Sequence, residues 1–145
     1  MSAVDNRTAS CLCRSISVTL AGEPSLKVLC HCDSCKKASG VVFQANTFWP
    51  KENVTVSDPE GMLQEYRDTS PDSGRYVLRS FCRNCGSFIM ITNPTHPDIS
   101  KMVIVPIGII NGEKESMIPD HEFFVKQKLG WLESRDGVLE YQGME

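Results

Sequence analysis

The chain's seven cysteines fall into three tight groups: Cys11-Leu12-Cys13, Cys30-His31-Cys32-Asp33-Ser34-Cys35 and Cys82-Arg83-Asn84-Cys85. Thiols one or two residues apart can turn onto a single ion, and a closed tetrahedral Zn²⁺ site takes four such donors. Seven donors divide into four plus three, which predicts one closed site and one site with an open position. A lone buried cysteine is usually a small hydrophobe. Here C-x-C, C-x-C-x-x-C and C-x-x-C occur together, and that combination favours metal. Zinc is the expected ion for all-sulfur tetrahedral sites, with iron–sulfur the minority alternative. Two Zn²⁺ per chain are expected.

The residues alone leave open which four donors close a site. Cys30, Cys32 and Cys35 are near enough in sequence to share one ion, with a fourth ligand sought among His31, His96 and His121. If the backbone is extended there, His31 points away from the face shared by Cys30 and Cys32. His96 sits in a Pro-flanked loop that favours a solvated ring, and His121 heads a strand-like run that favours a structural one. Pairing Cys11 and Cys13 with Cys82 and Cys85 would clip the start of the chain to its middle. Such a site would stabilise folding directly, because its ligands are scattered in the unfolded chain.

With 145 residues the chain fits one domain spanning 1–145, large enough to bury a core. Its formal charge is −3, and seven thiolates with two Zn²⁺ lower that to about −6. A negative chain is poorly suited to a phosphate backbone, so no nucleic-acid partner is expected. The N-terminal Met-Ser-Ala-Val-Asp-Asn-Arg has no apolar core of the secretory kind. The apolar stretch from Met102 to Ile110, broken by Pro106 and Gly108, is too short to span a bilayer. No membrane association is expected. A cytoplasmic location is, and in that reducing setting clustered cysteines are metal ligands more often than disulfides.

Strand signals dominate the remainder. Ser15–Leu20 alternates polar and apolar residues, and Arg75–Arg79 does so less cleanly. Further runs are Val41–Trp49, Val54–Ser57, Leu63–Arg67, Ser87–Thr92, Met102–Ile110 and His121–Val125, separated by segments rich in Gly, Pro, Asp and Ser. Asp33–Ala38 reads as a short helix with Asp33 as N-cap and Gly40 beyond its end. Cys11 and Cys13 are placed before the first strand, and Cys82 and Cys85 between two strands of a hairpin. The expected fold class is mainly β.

The segments Ala-Ser-Cys-Leu-Cys-Arg, Val-Leu-Cys-His-Cys-Asp-Ser-Cys-Lys-Lys-Ala-Ser-Gly and Phe-Cys-Arg-Asn-Cys-Gly-Ser, with His121-Glu-Phe-Phe-Val and Trp131, carry a family likeness. They resemble the glutathione-dependent formaldehyde-activating enzymes, a family that includes the domain of centromere protein V. The likeness runs from about residue 10 to 131. It implies a single-domain Mss4-like fold with zinc-clipped β-sheets. It further implies structural zinc on Cys11, Cys13, Cys82 and Cys85, and catalytic zinc on Cys30, Cys32 and Cys35. Leu12 and Arg14 stand where many members carry His and Gly, and Lys36 where Arg is frequent.

The implied chemistry is that of a carbon–sulfur lyase or synthase acting on a thiol adduct, such as S-hydroxymethylglutathione formed from glutathione and formaldehyde. The donor set agrees with this. Three thiolates give zinc a net charge of −1, which makes it a modest water activator and a good seat for a soft substrate sulfur. The partner expected is therefore a small thiol or thiol conjugate of glutathione type. Lys36 and Lys37 flank the site and could meet a carboxylate, although two solvated lysines are the plainer reading. Phe43, Phe48 and Trp49 follow it as core or edge residues, with a substrate wall as the less favoured role. Two other classes compete. A non-catalytic zinc-stabilised interaction module would be expected to show a basic surface or tail for an acidic partner, and none is visible. A methionine sulfoxide reductase of related fold would need a cysteine free of metal.

Overall fold

The computed structural model describes residues 6–144. The first five residues, part of the segment read above as lacking a secretory signal, and Glu145 lie outside them. Eleven strands follow in order: β1 (Asn6–Ser10), β2 (Ser17–Ala21), β3 (Leu26–Cys30), β4 (Gln44–Pro50), β5 (Val54–Ser57), β6 (Leu63–Asp68), β7 (Val77–Cys82), β8 (Phe88–Thr92), β9 (Met102–Pro106), β10 (His121–Phe123) and β11 (Leu139–Glu140). One α-helix, α1 (Asp33–Ser39), joins β3 to β4. The fold is mainly β, as the alternation predicts.

Two sheets form. The smaller has the order β1-β2-β5 and is antiparallel; the larger has the order β11-β10-β3-β4-β9-β8-β7-β6. In the larger sheet β10 runs parallel to both β3 and β11, and the remaining pairs are antiparallel. Period-2 alternation divides its side chains between two faces. On one face Trp49, Val103, Val105 and Ile89 pack with Ala9, Val18 and Leu20 of the small sheet into a solvent-free core. Trp49 is wholly buried, and its indole N–H donates to Thr47 Oγ1 at 2.7 Å, which satisfies the ring's one polar atom. Truncating such a residue to Ala costs about 3–5 kcal/mol.

The opposite face carries Val28, Phe48, Val77, Ile91, Ile104 and Phe123, together with Cys30 and Cys35. This is the face over which the candidate site lies. Residues of one parity reach it from each strand except β8, where a register shift opposite Ser80 and Phe81 sends Ile89 and Ile91 to opposite faces. The sheet serves as a floor with functional side chains set into it.

Several expectations shift at their boundaries. The first strand is β1, so Cys11 and Cys13 follow a strand and precede β2. Polar Asn-Arg-Thr-Ala-Ser, with only Ala9 buried, gives no alternation to read. Strand β4 begins at Gln44 rather than Val41, because α1 ends on Gly40 in the left-handed region and residues 41–43 complete the bend. Cys32, not Asp33, is the N-cap of α1: its Sγ accepts the Cys35 N–H at 3.3 Å. Strand β9 stops at Pro106, and Ile107–Ile109 form a 3-10 turn.

Candidate metal and substrate site

Seven free thiols converge in two groups. Cys11 and Cys13 lie in the β1–β2 turn of the small sheet, whereas Cys82 ends β7 and Cys85 lies in the β7–β8 turn of the large one. Their four sulfurs all lie within 4.8 Å of one another. Cys11 and Cys13 Sγ are 3.6 Å apart, and Cys13 and Cys82 Sγ 3.8 Å. Metal–sulfur bonds of about 2.3 Å in a tetrahedron place sulfurs about 3.8 Å apart, so this donor set fits zinc. The turns are shaped for it. Gly86 takes φ +78°, and the Ile16 N–H donates to Cys11 Sγ at 3.4 Å. Arg14 also sits in the left-handed region at φ +67°.

Two serines support the group. Ser15 Oγ is 3.0 Å from Cys13 Sγ, and Ser87 Oγ is 3.2 Å from Cys85 Sγ while accepting the Leu12 N–H at 3.0 Å. The Ser87 hydroxyl lowers the Cys85 thiol to about 5.

Cys30 at the end of β3, Cys32 as the α1 cap and Cys35 within α1 form the second group, again with all sulfurs within 4.8 Å. Cys30 and Cys32 Sγ are 3.4 Å apart. Among the described residues no further His, Cys, Asp or Glu joins them, so the group closes at three. It fits an ion with one position left for another donor. Hydrogen bonds from the Cys30 and then the Cys35 thiol hold Cys32 down at about 3. Sharing with Cys32 pushes Cys30 up, first of all, with burial adding to it. Cys35 is pulled down by its hydrogen bond with Cys30, but the Cys32 thiolate and burial win and raise it to about 12. Of the three thiols, Cys32 is thus the one most readily ionised.

None of the three histidines is brought to this group. His31 is buried, with Nε2 2.7 Å from Glu122 Oε1. His121 Nδ1 is 2.7 Å from Asp120 Oδ1, and its ring stacks on Tyr141. His96 Nδ1 accepts the N–H groups of Asp98 and Ile99, both at 3.1 Å, which leaves the proton of the neutral ring on Nε2. His96 does line the cleft described next, which a reading of its loop as merely solvated overlooks.

A cleft of about 1080 Å³ opens over the sheet face and takes in all three cysteines. Phe48, Ile104 and Phe123 form its floor, and Lys37, Arg75, His96 and Gln127 contribute polar groups. Of the three aromatic residues that follow α1, only Phe48 reaches it; Trp49 lies in the opposite core, and Phe43 packs on His31 with ring centroids 5.9 Å apart. Lys36 turns away to the Gln127 carbonyl and to Asp33, leaving Lys37 as the cleft lysine.

Sequence reasoning missed Arg79 and Asp68. Arg79 is buried, with Nη1 and Nη2 each 3.9 Å from Cys35 Sγ and Nε 2.8 Å from Asp68 Oδ2. One signal was available: Arg79 has the same strand parity as Val77, so a cation occupies an inward position.

Two β-sheets that meet at four thiols, with a three-thiol group at the edge of a cleft, define a β scaffold whose cysteine groups could hold zinc. The sequence profile of the glutathione-dependent formaldehyde-activating enzymes matches residues 6–127, and the chain belongs to that family. An uncharacterized lyase of Schizosaccharomyces pombe is 30% identical over 91 residues, which cover 61% of this chain and 60% of that protein. The match thus spans less than two thirds of the relative's length. A Rhodobacter sphaeroides protein of known crystal structure superposes with a TM-score of 0.54 at 16% identity, over 75% of this chain and 92% of that one. That likeness concerns the fold alone.

Proposed function

We propose that the chain is a zinc-dependent carbon–sulfur lyase or synthase that makes and breaks the adduct of a thiol with an aldehyde. Glutathione and formaldehyde are the first pair to test. The observation that carries this is the group of Cys30, Cys32 and Cys35 at the cleft, three soft donors with no fourth from the described chain. In this reading those three hold the working zinc, and Cys11, Cys13, Cys82 and Cys85 a structural one. Family membership and the lyase name of the yeast relative support it. A reducing, cytoplasmic setting, in which thiols persist, belongs to the same proposal.

Cys30, Cys32 and Cys35 would hold the zinc, which would supply a soft electrophilic seat that favours the ionised form of a thiol. The balance of the reaction is simple. A sulfur lone pair forms the C–S bond, the carbonyl π pair moves to oxygen, the thiol proton leaves and the oxygen gains one; the reverse reaction breaks the C–S bond. The chain's own residues supply the surroundings. Phe48, Ile104 and Phe123 keep water from the sulfur side, which strengthens local electrostatics. Lys37 and Arg75 are placed to meet carboxylates of a glutathione-like conjugate, and the Nε2–H of His96 can donate to a substrate oxygen.

Exchange NMR on equilibrated S-hydroxymethylglutathione tests the reading. The zinc-loaded chain should speed C–S cleavage above the spontaneous rate, and Cys32→Ser should abolish the excess. A rate equal to the uncatalysed one, with zinc present at both groups, would sink it.

A further inference from the structure

We propose that Arg79, held by Asp68, is the charge partner of the three-thiolate group and the residue that lets this group accept an anionic fourth donor. The proposal rests on the reading of Cys30, Cys32 and Cys35 as the working site.

The geometry makes a closed circuit. Arg79 directs both Nη atoms at Cys35 Sγ, each at 3.9 Å, and gives Nε to Asp68 Oδ2 at 2.8 Å. The other carboxylate oxygen, Asp68 Oδ1, accepts the Ser70 N–H at 2.9 Å and the Ser70 hydroxyl at 2.5 Å. Ser70 Oγ in turn lies 2.6 Å from Ser34 Oγ, and Ser34 stands between Cys32 and Cys35. The β6–β7 connection is thereby tied to the cysteine helix, and the guanidinium is fixed from both sides.

Electrostatics gives the circuit a purpose. Three thiolates around Zn²⁺ carry −1, and adding a substrate thiolate makes −2 beside an apolar floor, where screening is weak. A permanent cation against Cys35 removes one of those charges. No other cation shares that position: Lys36, outside the cleft, is engaged by Gln127 and Asp33, Arg75 donates to the Thr95 carbonyl, and Lys37 lines the cleft without a hydrogen bond to the three sulfurs. Arginine suits the place because its fork can serve Asp68 by one edge and Cys35 by the other, which an ammonium cannot do. Strand register does not require the pair. β6 and β7 are already joined by backbone pairing from Leu63↔Cys82 to Asp68↔Val77.

Cobalt substitution of the full chain tests the role, since thiolate-to-cobalt absorption reports the donors on the ion. The probe is 2-mercaptoethanol, which has no carboxylate to confuse the result. Native protein should take up the thiol with a spectral change. Arg79→Met should bind Co²⁺ about 10–100-fold more weakly at this group, the usual size of an effect from residues behind the ligands. It should also lose at least about tenfold in thiol affinity, with Arg79→Lys recovering part because it keeps the charge. Native thiol affinity in Arg79→Met, no gain from Lys over Met, or no uptake of thiol by the native cobalt protein would each overturn the proposal. Should Arg79→Met fail to fold, Asp68→Asn decides: a several-fold weaker thiol affinity supports the role and an unchanged one overturns it. A native chain that binds the thiol but leaves S-hydroxymethylglutathione untouched sinks the proposed function and leaves the role of Arg79 standing.

Discussion

Glu122 Oε1 lies 2.7 Å from His31 Nε2, and both side chains are sealed from solvent. The contact binds strand β10 to the Cys-His-Cys segment that ends β3, across the parallel pairing of Phe123 with Cys30. Lys128 Nζ reaches the same carboxylate oxygen at 3.1 Å. The histidine inside the metal motif is thus an anchor that faces away from the cysteines, and the C-terminal His-Glu-Phe-Phe run acquires a physical purpose. Burial pushes the Glu122 carboxyl up, but His31 and then Lys128 outweigh it and hold it below its ordinary value.

Replacing Glu122 with Ala leaves the buried His31 imidazole without its acceptor, while Lys128 keeps Ser134 and Glu140, and should cost about 1–3 kcal/mol of stability. Glu122→Gln keeps one acceptor and should cost less. The native carboxylate's contribution is fully present above its unfolded pKa, about 4.3, and is lost as pH falls through the depressed folded value. Urea melts of the native and Ala proteins side by side at pH 7 and pH 4, read as the difference between them so that metal loss on acidification is common to both, check both statements. An Ala variant as stable as the native chain at pH 7 would remove the anchor role.

The two sulfur groups should fail differently. Cys82 and Cys85 belong to the large sheet and Cys11 and Cys13 to the small one, so Cys82→Ser or Cys85→Ser cuts the tie between sheets. Either is expected to give unfolded or insoluble protein. Cys32→Ser touches only the cleft group, so it should keep the native circular dichroism and lose one of two zinc atoms by elemental analysis. Collapse of the Cys32 variant would count against an open working site there.

Arg14 has φ +67° in the knuckle between Cys13 and Ser15, a conformation that costs a residue with a Cβ about 1–2 kcal/mol. Arg14→Gly removes that strain but adds freedom to the unfolded chain worth about 0.5–1 kcal/mol. The net expectation is a gain of up to about 1.5 kcal/mol, read as a higher melting temperature with metal content unchanged. A lower melting temperature would mean that the Arg14 side chain contributes something the backbone argument omits.

Much of this was legible because cysteine spacing and strand alternation are local signals. Val54–Ser57 appears as read, and Leu63–Arg67 extends by one residue to Asp68. The grouping of Cys11, Cys13, Cys82 and Cys85 also matches the expectation, since four thiols on two turns have few other ways to be satisfied. Strand β3 was hidden although Leu26, Val28 and Cys30 alternate, because its cysteine reads first as a ligand. Strand β11, two exposed residues held only by a parallel neighbour, carries no pattern. Arg79 showed only as a cation at an inward strand position and Asp68 not at all, because their pairing arises only where β6 and β7 meet α1, and such contacts leave no periodicity in one sequence. His96 shows the reverse, a loop residue whose surroundings are created entirely by the fold.

Metal uptake at the cleft group should depend steeply on pH. Without metal, Cys32 is ionised at about 3, while Cys30 is raised and Cys35 stands at about 12. Three thiolates are needed to hold the ion, so two protons must leave as it binds. Apparent affinity should therefore rise about 100-fold per pH unit around neutrality and fall by the same factor on acidification. Competition with a chromophoric chelator at pH 6.5 and 7.5, following the weaker of the two metal equivalents, measures that slope. A slope near three protons would place a thiol on Cys32 in the metal-free chain. A slope near one would mean that a second thiolate is already present in the metal-free chain.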